Sequence, residues 1–164
     1  MRIVGEEDAL ARGAVHVMVR PNRGGTYLVT AALGFRDPSM PSGVFGCPNP
    51  DAICVLAGGY AYIADVARPE EVTLLAMKPV VAVMEAVEAG LLLFAGFTTV
   101  LAWGAGGKAW ETGRLSWEGL RWTGISSGVL RGFGWDLMKD VEVEFEVDLR
   151  TGEWHGGGYR VDQR

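Results

Sequence analysis

The sequence predicts an all-β fold of antiparallel hairpins and meanders, propeller-blade-like or packed as a β-sandwich, with little helix. Two observations carry that expectation. Glycine supplies 24 of the 164 residues, against roughly 7% in an ordinary chain, and such a density favours many turns over long helices. Ten or more short apolar or alternating segments also recur at spacings of about 8 to 12 residues, each bounded by Gly, Pro, Asn, Asp or Ser. The length suits one domain spanning residues 1–164.

Taken in order, residues 15–19 and 26–35 alternate and flank Pro21 and Gly24-Gly25, which predicts a hairpin. Residues 35–51 hold a cluster of prolines and no sustained period, and read as a surface loop. Residues 53–66 read as two strands broken or bulged at Gly58-Gly59, and a further strand starts at Val72. Residues 79–90 are ambiguous: Pro79, Gly90 and the Ala, Met and Glu between them suit a short helix, whereas Val80, Val81, Val83 and Val87 favour a strand. The strand is the reading adopted. Residues 89–107 carry no charge and just reach the length of a membrane span. Gly90, Gly96, Gly104, Gly106 and Gly107 interrupt any helix there, so two buried strands joined by a tight bend are expected and no membrane contact.

After Lys108 the alternation resumes, with strands expected on both sides of Glu118-Gly119 and turns at residues 126–128 and 136–140. The clearest strand is 141–149, where Val141, Val143, Phe145, Val147 and Leu149 point one way and Glu142, Glu144, Glu146 and Asp148 the other. The acidic side reads as a solvated face that protects an edge strand. Thr151-Gly152 then turns the chain back through Trp154.

A net charge of -5 disfavours nucleic acid, whose nonspecific affinity depends on cationic side chains. Glu6, Glu7 and Asp8 stand where a signal peptide would place its apolar centre, so a cytoplasmic location is expected. Cys47 and Cys54 have six residues between them, outside zinc-site spacings, and read as two reduced thiols, with a short-loop disulfide or a metal as the alternatives; no cofactor is implied. Residues 104–108 lack the Ser or Thr of a phosphate loop. No G-x-S-x-G or Cys signature accompanies His16 or His155, so no catalytic residues are assigned.

Aligning Gly107 on Gly152, 45 residues later, superposes residues 101–110 on 146–155, each a strand, a glycine turn and a return strand carrying Trp. Residues 62–71, with Asp65, have the same strand, Asp and turn pattern. These segments resemble the inner hairpins of quinoprotein-like β-propeller blades, whose repeats read as aliphatic, Asp, turn, Thr-Gly, aromatic; the copy at 101–110 departs from that pattern at Trp103 and Gly106. The whole chain also resembles small uncharacterised bacterial proteins that share its CPNPD, GGYAYI, LLLF and LSWEGL segments, a likeness that implies no activity.

Of the six tryptophans, all in the second half, most are expected in the core, with Trp135 beside Asp136 and Trp154 beside His155 reaching the surface as candidate ligand-binding residues. The function expected is a non-catalytic β-domain that binds a protein partner or its own copy. The alternative is a binder of small ligands or carbohydrate, or a hydrolase, that uses Trp and Asp at the sheet ends.

Overall fold

The computed structural model describes residues 10–22 and 24–159, and among them it is all-β. Helix is confined to two single 3-10 turns, Leu10–Arg12 and Val87–Ala89. The chain gathers into two compact units, Met1–Val81 and Ala82–Arg164.

In the first unit, β1 (Ala14–Val19) and β2 (Tyr27–Ala32) form a two-stranded hairpin. The strands β3 (Gly43–Gly46), β4 (Ala52–Ala57), β5 (Tyr60–Asp65) and β6 (Val72–Leu74) form a four-stranded antiparallel sheet in chain order. Val15, Val17, Val29 and Ala31 of the hairpin pack on Val55, Ala57 and Tyr62 of this sheet. Gly58-Gly59 is a tight hairpin turn rather than a bulge: both residues have positive φ, 53° and 80°, and Ala57 pairs directly with Tyr60. The loop expected over 35–51 contains the strand β3, which lies at the sheet edge, where Gly and Pro neighbours are tolerated.

In the second unit, β7 (Ala82–Ala86), β8 (Leu91–Ala95), β9 (Val100–Gly104) and β10 (Gly107–Glu111) make one sheet. The other contains β11 (Leu120–Ser126), β12 (Val129–Asp136), β13 (Val141–Asp148) and β14 (Trp154–Gly156). Each is again an antiparallel meander in chain order. Ala86, Leu93, Val100 and Ala102 of the first share one core with Leu130, Phe145, Val147 and Leu149 of the second.

Burial explains which strands read clearly in the sequence. On β8, Leu92 and Phe94 are as buried as Leu93, so this strand is apolar on both faces and its sequence is a continuous run. On β13, Phe145 and Val147 are buried while Glu142, Glu144 and Glu146 are exposed, which gives the period of two. The ambiguous 79–90 segment resolves into the strand β7 followed by the single 3-10 turn, which Gly90 closes at φ 62°.

Three further expectations need correction. Residues 112–119 form no strand; Leu115 is fully buried, and its carbonyl oxygen accepts from the Gly158 N–H at 2.7 Å in an irregular crossing between the sheets. The acidic strand β13 is no edge, because it pairs with β12 on one side and β14 on the other. Its carboxylates face Arg121 and Arg131, with Glu142 and Glu146 each at 2.7 Å. Finally, none of the six tryptophans is fully buried; five are half-buried and Trp154 is 41% exposed.

The weak sequence repeat falls on equivalent hairpins. Residues 101–110 join the third and fourth strands of their sheet, as 146–155 do, and Asp65 ends the third strand of the sheet in the first unit. Asp65 Oδ1 accepts from the N–H groups of Ala67 and Arg68, and Asp148 Oδ1 accepts from those of Arg150 and Thr151, the same turn in both places.

Candidate functional site

The second unit has an open cleft of about 900 Å³. Three turns meet there: the 3-10 turn after β7, the β11–β12 turn at Ser127-Gly128, and the β13–β14 turn at residues 148–151. Its apolar lining includes Ala86, Leu91, Trp110, Ile125 and Leu149.

Trp110 is fixed from two directions. Its indole N–H donates to the Leu149 carbonyl oxygen at 2.9 Å, and its ring lies against Gly152, where a Cβ would come within 2.6 Å of Trp110 Cγ. Trp154 lies over Gly113 in the same manner, with a Cβ there 2.7 Å from Trp154 Cζ2. Each ring needs its glycine for clearance, and Gly152 also needs the left-handed φ of 75° that closes the turn.

The charge in the cleft is mostly negative, with Glu85, Glu88 and Asp148 against Arg150. Asp148 is committed to its turn: hydrogen bonds from the Thr151 and Arg150 N–H groups hold its carboxyl below the ordinary range. A general acid needs the opposite shift. Glu85 and Glu88 are exposed, and neither has an ion pair among the described residues.

The residues singled out in the sequence are dispersed. Trp135 sits on β12 opposite Glu142 and lines a smaller hollow of about 210 Å³ with Arg121 and Phe133. Asp136 is 3% exposed and is a turn cap, its Oδ1 accepting from the N–H groups of Met138 and Lys139. Trp154 and His155 lie on β14, opposite Val147 and Glu146, towards the other end of β13. Trp135 and Trp154 are therefore separated by an intervening strand and by five residues of register. The cleft residues Glu85, Glu88 and Trp110 were not singled out; the visible signal was Trp110 within the repeated glycine-turn hairpin.

Elsewhere, Cys54 is buried and Cys47 half-buried, both free, and burial pushes the Cys47 thiol up to about 11. His16 shares a hydrogen bond with Thr30 at 3.1 Å, and no hydrogen bond joins a Ser or Cys to a histidine among the described residues. Among the same residues no three metal-ligating side chains cluster, and no helix is long and apolar enough to cross a membrane. No protein-family model matches the chain, and no curated protein matches it.

Proposed function

We propose that the chain is a non-catalytic β-domain that binds a segment of protein, and that the cleft of the second unit is its binding surface. The observation that carries this reading is the pairing of the apolar side chains Leu91, Trp110 and Ile125 with two exposed carboxylates, Glu85 and Glu88, that have no ion pair among the described residues. An apolar side chain flanked by a basic one satisfies both, the first by leaving water and the second by charge. The acidic balance argues against nucleic acid as the partner. The free thiols of Cys47 and Cys54 favour a reducing, cytoplasmic setting. Each four-stranded meander has the strand order of a propeller blade, which supports the blade-like reading of the sheets one by one.

The test is selection of random peptides on the wild type and on a Glu85→Lys/Glu88→Lys variant. Peptides combining Lys or Arg with Leu, Met or Phe are expected on the wild type and not on the variant. Absence of enrichment, or the same peptides on both proteins, overturns the reading. A second reading, a carbohydrate binder, draws on the Trp110 ring and the hydroxyl-bearing residues Ser127 and Thr151 in the same cleft. Glycan-array binding lost on Trp110→Ala, in a variant that remains folded, selects it.

A further inference from the structure

The β12–β13 hairpin ends in an apolar tip: Leu137 is 57% and Met138 79% exposed, and Val141 beside them is 45% exposed. The tip is not a loose loop. Asp136 Oδ1 accepts from the N–H groups of Met138 and Lys139 at 3.0 and 3.2 Å, and Asp140 closes the turn at φ 57°. Two large apolar side chains, the cation of Lys139 and the carboxylate of Asp140 are thus presented on a pre-formed turn, which lowers the ordering cost of inserting them elsewhere.

The cleft offers a partner for each of these groups: Leu91, Trp110 and Ile125 among a mixed polar and apolar lining, the carboxylates of Glu85 and Glu88, and the cation of Arg150. Tip and cleft stand at opposite ends of one ladder. The β12–β13 pairing runs from Val129 opposite Asp148, beside the cleft, to Asp136 opposite Val141, at the tip. Eight paired positions at a strand rise of about 3.4 Å put the two ends ~24 Å apart. A tip on one end and a cleft on the other cannot meet within this rigid sheet, and they are not the same surface, so the contact they suit is head to tail.

We propose that the occupant of the cleft is the Leu137-Met138-Lys139 tip of a second copy of this chain, with Lys139 set against Glu85 and Glu88. This rests on the reading of the cleft as a protein-binding surface and names its partner. Because each copy keeps one free tip and one free cleft, the association propagates into chains or closes as a ring. The small contact makes it weak and reversible, and the charged pairs make it weaken with salt.

The experiment is sedimentation velocity over a concentration series, with thermal melts to confirm that each variant is folded. The wild type is expected to grow with concentration beyond a dimer. Leu137→Ser/Met138→Ser, with an intact cleft, and Glu85→Lys/Glu88→Lys, with an intact tip, are each expected to stay monomeric, and their mixture to form a dimer and nothing larger. A monomeric wild type, a tip variant that assembles like the wild type, or a mixture that stays monomeric overturns the proposal. Binding of a monomeric wild type to phosphatidylcholine vesicles through the tip would also overturn it, by assigning the tip to lipid. If self-association fails while basic apolar peptides still depend on Glu85 and Glu88, the cleft reading stands without it.

Discussion

Trp110 and Leu149 are 39 residues apart in sequence, and one hydrogen bond of 2.9 Å from the indole N–H to the carbonyl oxygen ties β10 to the turn that follows β13. The two sheets of the second unit are therefore joined by a directional contact as well as by their shared apolar core.

That contact sets a contrast between two tryptophans. Trp122 also buries its indole nitrogen, but with no hydrogen-bond partner among the described residues. Trp110→Phe strands the Leu149 carbonyl oxygen and is expected to cost about 1 kcal/mol, or more if that oxygen stays dry. Trp122→Phe removes an unsatisfied donor, which offsets part of the lost apolar area, so its loss is expected to be smaller. Urea midpoints of the two variants decide this, and equal losses would contradict it.

Gly152 is required by both its backbone and its neighbour. Gly152→Ala places a methyl group 2.6 Å from Trp110 Cγ at a φ of 75°, and a loss of about 2 to 4 kcal/mol is expected from left-handed strain plus overpacking. In the double variant with Trp110→Ala the combined loss should be smaller than the sum of the two single losses, because removing Cγ and Cδ2 takes away the two nearest contacts of the added methyl group. Additive losses would show that backbone strain alone matters.

Acid should weaken the fold through its turns. The Arg68 N–H holds the Asp65 carboxyl low, the Thr151 N–H does so for Asp148, and the Arg121 guanidinium does so for Glu142. Where a folded-state pKa is lowered, the unfolded chain binds more protons in the acid range. The contribution is complete above the unfolded value near 4 and is lost as pH falls through the folded one. Denaturation midpoints should decline below a pH of about 4, and Asp65→Ala/Asp148→Ala should shallow that decline.

Cys47 should be slow towards alkylating agents. With its pKa raised to about 11, almost none of the thiol is ionised at neutral pH, and the thiolate is the reactive form. Iodoacetamide labelling of native Cys47 should rise about tenfold per pH unit through the mildly alkaline range, and unfolding in urea should accelerate it at fixed pH. Rapid labelling of the native protein at neutral pH would contradict the burial.

The strands were legible where one face is wet and one dry, as on β13, or where a glycine pair marks the turn, as at Gly58-Gly59. β3 was missed because an edge strand of four residues among Gly and Pro carries little periodicity. The segment around Leu115 was misread because apolar residues alternate in its sequence, at Leu115 and Trp117, without pairing to a strand. Choosing site residues as neighbours in sequence ran against the geometry of a strand, where adjacent side chains point to opposite faces. Trp135 and Asp136 illustrate this, one half-buried beside the smaller hollow and the other sequestered in its turn. The cleft is assembled from three separate turns, and only the fold brings Glu88, Ser127 and Leu149 to one place.

Every strand in the three four-stranded sheets pairs with the strand just before or after it in the chain. No strand has to await a distant partner, so each sheet can zip up soon after its last strand leaves the ribosome. Synthesis then delivers the protein as a succession of finished hairpins, and unpaired edges stay exposed to neighbouring nascent chains only briefly.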